Sequence, residues 1–231
     1  MRRTVAMAAC AGALLIAAPV LACGNTVELE LDGPTKRVNG AEMLVRAGKP
    51  AQAYRAAWRA SREVRNEIVS KGGPGVDNYN EALALKRRAR RVMAIAQLRA
   101  SGRLGATGRL AKRTSKRRQR VNLRWSRIVL QRQWIKARKD PVVRARYAEA
   151  LAASPSKRHR AKALSMLQTL ASKDLMPDAW AYRTLAQLHH ARSDSKARDA
   201  AVAKCRLKAG ANAASICPTF DAPVAQRPPV G

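Results

Sequence analysis

Between Pro50 and Ser70 small apolar side chains recur at helical spacing: Ala53, Ala56, Ala57, Ala60, Val64 and Ile68 fall on one stripe of a helix. A face made mostly of alanine lets a second helix approach closely. It is a poor face for a sheet, whose pleated surface is filled best by β-branched and aromatic residues. The whole chain has the same bias: 47% of its 231 residues are hydrophobic, yet only 4% are aromatic and a single Phe occurs. The expectation is an all-α protein with enough apolar material for a sizeable core.

Punctuation along the chain divides it into helices. Residues 35–47 read as the first, stopped by Gly48; Pro50 opens the second, which ends at Gly72, Gly73 and Pro74. Asp77 is the expected cap of a third helix over residues 78–100, with Gly102 as its stop. A basic connector over residues 101–114 leads to a helix through Val121, Trp125, Ile128 and Val129, and Asp140-Pro141 opens the next. Two further helix pairs follow, residues 142–153 with 157–171 and residues 178–191 with 195–209. Ahead of the helices, "NTVELELDGP" alternates Val27, Leu29 and Leu31 with polar residues, so residues 23–34 are expected to form an extended tether on the first helices. Residues 210–231 lack apolar periodicity and are expected to be a disordered tail, leaving residues 35–209 as the helical domain.

The two C-terminal pairs echo each other. A shift of 34 residues places Leu151 on Leu185, Ala163 on Ala197, Tyr147 on Ala181 and Leu167 on Ala201, positions that would face a partner helix. In "AGKPAQAYRAAWRA" Gly48 stands in the turn, Ala53 opens the second helix and Ala60 follows seven residues later; Ala163 and Leu170, then Ala197 and Lys204, keep that step. Here the chain resembles the tetratricopeptide repeat family, whose units are 34-residue helix pairs. The resemblance implies a degenerate right-handed stack of antiparallel helix pairs with a concave surface for a protein partner. Turn glycines are missing near Ser156 and Ser193, and residues 103–139 do not follow the repeat, so an irregular helical domain stands as the alternative.

Residues 1–22 have the layout of a secretory signal peptide: Arg2 and Arg3, an apolar run from Val5 to Leu21 interrupted by Pro19, then small residues. "VLAC", Val20 to Cys23, resembles a bacterial lipobox, which implies a lipid on Cys23 as the mature N-terminus. Gly24 beside it resembles the outer-membrane sorting pattern of Gram-negative lipoproteins, so the expected place is the outer membrane, facing the periplasm. Ordinary cleavage between Ala22 and Cys23, giving a periplasmic protein, is the alternative. With Cys10 removed and Cys23 lipidated, Cys205 and Cys217 are an even pair in an oxidising compartment and a disulfide candidate. Cys205 also continues the spacing of Ala197 and Ala201, as a small buried apolar residue would.

The formal net charge is +31. Such a surface attracts polyanions, although arginine-rich codon usage on solvated helix faces gives the same number. The densest run, "GRLAKRTSKRRQR", offers Lys112, Arg113, Lys116, Arg117, Arg118 and Arg120 as anion-contact candidates, with no acidic residue among them. Trp125 and Trp134 nearby could stack on bases, but export removes nucleic acid as the usual ligand, and an anionic membrane surface, lipopolysaccharide or an acidic protein suits the envelope better. Trp residues at helical spacing belong more often to a core.

Catalytic chemistry finds little support. His159, His189 and His190 have no cysteine or carboxylate at metal-ligand spacing, and neighbours on a helix such as His189 and His190 diverge by about 100°. No phosphate-cradling glycine loop or nucleophile pattern occurs. The sequence therefore predicts no enzyme, no cofactor and no metal, but an exported interaction scaffold, or else a basic polyanion binder.

Overall fold

Short polar side chains set where the C-terminal helices start. The side chains of Ser115, Asp140, Ser156, Asp178 and Asp194 each accept from a backbone N–H of the helix they precede, filling donors that the first turn leaves free. The computed structural model describes residues 28–111 and 113–220. The signal segment, Cys23, Lys112 and residues 221–231 lie outside the described residues.

The helices are α1 (Asp32–Arg46), α2 (Pro50–Ser70), α3 (Tyr79–Arg99), α4 (Lys116–Lys136), α5 (Pro141–Ala152), α6 (Lys157–Ser172), α7 (Ala179–His190) and α8 (Ser195–Ala209), then a 3-10 turn (Gly210–Asn212) and the short α9 (Ala213–Ile216). Among the described residues there is no strand, only two isolated bridges. Each helix packs on the next, α1 also reaches α3, and α5 also reaches α7. Connections as short as residues 47–49 fold neighbours back on each other as helical hairpins. No helix of the described residues is long and apolar enough to cross a membrane.

The alanine stripe does what its spacing demands. Ala53, Ala57, Ala60 and Val64 are fully buried against α1 and α3. They join one core cluster of α1–α4 with Leu29 and Leu104, while α5–α8, Ile216 and Cys217 form a second. Trp125 packs against the first and Trp134 against the second, where Trp134 stacks on Tyr147 at 5.0 Å between centroids. These tryptophans are core material, not exposed platforms.

Three expectations need correction. The helix expected from residue 35 begins at Asp32, because Pro34 lacks only an N–H that a first turn leaves unused and Asp32 suits the helix dipole. Asp77 does not cap α3. Residue 77 bridges Glu28 of the tether, and Asn78, left-handed at φ 53°, accepts from Leu29 N–H at 3.1 Å and donates to Leu29 O at 3.0 Å. The connector expected over residues 101–114 is held down along its length: Gln97 bonds both Leu104 N–H and C=O, Asn122 donates to Gly102 O at 2.7 Å, and Leu104 is buried. Residues 210–217 are no disordered tail; they fold into the 3-10 turn and α9, with Ile216 3% exposed, because that side chain packs beneath the α1–α2 turn at Gly48.

Candidate functional site

The two cores meet at a seam of buried charge. Arg146 of α5 donates to Glu149 one turn on at 2.5 Å and, through both terminal nitrogens, to Asp178 at the start of α7. Both carboxylates are thereby occupied. Arg99, on the last turn of α3, lies 3.5 Å from Asp178 and 3.7 Å from Glu149, ion-pair distances that are too long for good hydrogen bonds. It donates to Val45 O of α1 at 2.5 Å, its side chain is 2% exposed, and its Nε and Nη2 have no hydrogen-bond partner.

Ionisation follows this geometry. Burial and the charge of Arg146 bring Arg99 down to about 10, with Glu149 and Asp178 offsetting only part, so it stays cationic at neutral pH. Burial would raise Asp178, but Arg146, Arg99 and the Ala181 N–H outweigh that and hold it at about 2. Burial also works against the Arg146 cation, yet its two carboxylates push its pKa upward.

Beside the seam, Trp180 of α7 gathers cations. The guanidinium of Arg99 lies 4.5 Å from the ring centroid and that of Arg183 4.9 Å from it. The two are therefore at most roughly 9 Å apart, and at an effective dielectric near 20 they repel by about 2 kcal/mol. Cation–π attraction returns part of this. Arg183 donates to Ile216 O at 2.9 Å, and among the described residues no carboxylate pairs with it. Trp180 in turn donates weakly to Arg46 O at 3.4 Å, so the first and last helix pairs touch here.

These side chains form the inner end of a cleft between α3–α4 and α5–α7. The inner part has a volume of about 380 Å³ and is lined by Arg99, Glu149, Arg160, Trp180, Arg183 and Gln187 among others. It shares Leu123, Ala152, Ala153 and Arg160 with a wider part of about 670 Å³, which Arg120, Arg124, Arg127 and His159 also line. Glu149 is the one carboxylate on either lining, and Arg146 already holds it. His159 sits 3.0 Å from Arg127 and 2.8 Å from Ser154. Burial and the neighbouring Arg127, Arg158 and Lys162 lower its pKa, so it is neutral near pH 7.

The sequence-derived candidates fall in three places. Arg113, Lys116, Arg117, Arg118 and Arg120 are exposed, and none is in an ion pair among the described residues. Of these, Arg120 lines the wide part of the cleft. Cys205 and Cys217 are joined by a disulfide with Cα atoms 5.9 Å apart, and both lie in the second core. His189 is buried with Nδ1 3.0 Å from Asp194, while His190 tilts against Phe220 at 4.5 Å; among the described residues no group of metal-ligating side chains forms.

Sequence reasoning did not find Arg99, Arg146, Glu149, Asp178, Arg160 or Arg183. One signal was present: in the run from Val92 to Ala100 the only polar residues are Gln97 and Arg99, and both are bonded inside the fold.

Fold and site together define an all-helical protein of packed helix pairs with an arginine-lined cleft. No family model matches the chain, and no curated protein or solved structure is similar to it.

Proposed function

We propose that the chain is an exported, lipid-anchored helical-repeat scaffold that binds an acidic protein partner in the cleft between α3–α4 and α5–α7. What supports this above all is the composition of the cleft wall, where several arginines face open volume and the single carboxylate is already occupied. Alternation of packed helix pairs, with α1 on α3 and α5 on α7, suits a degenerate tetratricopeptide-like stack. Export and anchoring rest on the apolar leader and on "VLAC" ending at Cys23. Placement at the outer membrane, facing the periplasm, rests on Gly24. No catalytic step, cofactor or metal is part of this reading.

Capture from envelope extract by wild type and by Arg124→Gln/Arg127→Gln/Arg160→Gln tests it: an acidic protein held by wild type and lost from the variant supports the cleft, and equal capture by both counts against it. Cys23→Ala is expected to release the protein from membranes, since lipid chains supply most of the anchoring energy.

A second reading has its own observation, the exposed cations on the first turns of α4, none of them in an ion pair among the described residues. That surface suits an anionic leaflet or lipopolysaccharide, through contacts screened by salt.

A further inference from the structure

We infer that the inner end of the cleft is a binding site for a phosphate monoester, carried either by a small phosphorylated compound or by the head of a phosphatidic acid. The inference depends on the proposal above only in taking the cleft as a binding surface; what it adds is the chemistry of the ligand. Arg99 and Arg183 crowd one indole ring, at 4.5 and 4.9 Å from its centroid, and Arg160 lines the same space from α6. Arg146 occupies both nearby carboxylates, leaving Arg99 with an Nε and Nη2 that have no hydrogen-bond partner on a side chain 2% exposed. Arg160 and Arg183 have no carboxylate partner among the described residues.

The lining of the inner end thus brings three guanidiniums, Arg99, Arg160 and Arg183, against one carboxylate, Glu149. A planar carboxylate would cancel one of the two surplus charges. A phosphate monoester is close to a dianion at neutral pH and presents three acceptor oxygens, so it balances both and accepts from donors arriving from different helices. Gln187 on the lining adds a neutral donor. At about 380 Å³ the space admits a phosphate group with part of its carbon skeleton, and the wider part beyond it takes the rest.

The experiment is calorimetric titration of the folded, oxidised protein with sodium pyrophosphate. Saturable binding at one site is expected, weakened roughly tenfold by Arg160→Gln and by Arg183→Gln, and within about twofold of wild type in Arg117→Gln/Arg118→Gln on the outer face of α4. Because Arg183 also holds Ile216, Arg160→Gln carries the test should the other variant loosen the C-terminus. Vesicles of phosphatidylcholine with phosphatidic acid separate the sources. Release of the protein from them by pyrophosphate assigns a lipid head, and retention alongside saturable pyrophosphate binding assigns a small compound. No saturable heat at pyrophosphate up to about 1 mM, or equal affinity in wild type and Arg160→Gln, overturns the site. An oligoglutamate peptide keeps the two proposals apart. Peptide binding without pyrophosphate binding removes this inference and leaves the scaffold standing, whereas pyrophosphate binding without peptide binding supports the phosphate site and counts against an acidic protein partner.

Discussion

Asp178 and Asp194 occupy the same local position, and their environments differ enough to measure what the charged seam contributes. Each caps its helix by accepting from the N–H three residues on, at 3.3 Å for Ala181 and 3.1 Å for Ala197. Asparagine keeps that acceptor, so Asp→Asn at either site removes charge and leaves the cap. Asp194 is 47% exposed and pairs only with His189, so Asp194→Asn is expected to cost under about 1 kcal/mol. Asp178 is 20% exposed, bonds Arg146 twice and faces Arg99. Its pKa falls from 3.8 to about 2, a shift worth about 2 kcal/mol of folding free energy. Removing one member of a buried pair also strands the other, at roughly 3–5 kcal/mol when burial is complete. With partial exposure, Asp178→Asn should lose about 2–4 kcal/mol, lowering Tm by roughly 5–10 °C.

The pH dependence is the sharper part of this prediction. A carboxylate whose folded pKa is depressed contributes fully above its unfolded pKa and loses that contribution as pH falls through the folded value. Urea denaturation should therefore show a constant gap between wild type and Asp178→Asn at neutral pH. The gap should narrow below about pH 4 and nearly close by about pH 2, as the wild-type carboxylate takes up its proton. Equal losses for Asp178→Asn and Asp194→Asn, or a gap that ignores pH, would refute the idea that Asp178 holds the seam.

Changing Lys112, Arg113, Lys116, Arg117, Arg118 and Arg120 together to Gln is expected to leave Tm unchanged or slightly higher and to weaken binding to anionic vesicles; a large stability loss would mean that their alkyl stems pack on neighbouring helices. Gly102→Ala should cost roughly 2–4 kcal/mol in a denaturant titration, because φ is +74° and the new Cβ would sit 2.6 Å from the Gln119 carbonyl oxygen, and a neutral result would reject the pinned connector. Replacing Cys205 and Cys217 by Ala opens a short loop worth about 3 kcal/mol in the chain-entropy account, and limited proteolysis should then begin near α9; an unchanged cleavage pattern would show that the disulfide does not hold that turn.

Local signals made most of the helix plan legible. Pro50, Asp140-Pro141 and the serine and aspartate caps are chemical requirements of a helix's first turn, so the ends of α2 and α5–α8 stand within a residue or two of where their punctuation puts them. What escaped depends on partners far along the chain. Asn78 replaces Asp77 at the start of α3 because Leu29, 49 residues away, claims its side chain. Ile216 lies in a stretch with no periodicity and is ordered by the Gly48 turn and Trp180. The same limit hid the cleft. No spacing rule distinguishes Arg99, Arg160 and Arg183 from the arginines on solvated faces, since their roles arise only when α3, α6 and α7 are brought together. The dense run beginning at Arg109 stands out for its composition, yet among the described residues it contributes only Arg120 to the cleft lining.

A seam of charge between two apolar cores is a costly way to join two halves of a fold, and apolar side chains of similar size often do as well or better. Its consequence here is geometric. An apolar seam tolerates sliding, whereas Arg146 held by Glu149 and Asp178 at once, and Arg99 held by the Val45 carbonyl, fix α1, α3, α5 and α7 at one mutual position. Ile216 and Trp180 against the Gly48 turn close the same junction from outside. The floor of the cleft is therefore set before any ligand arrives, and the repulsion between Arg99 and Arg183 is held in place by the fold. An anion bound beside Arg99 and Arg183 would offset that repulsion, which the fold alone leaves uncompensated.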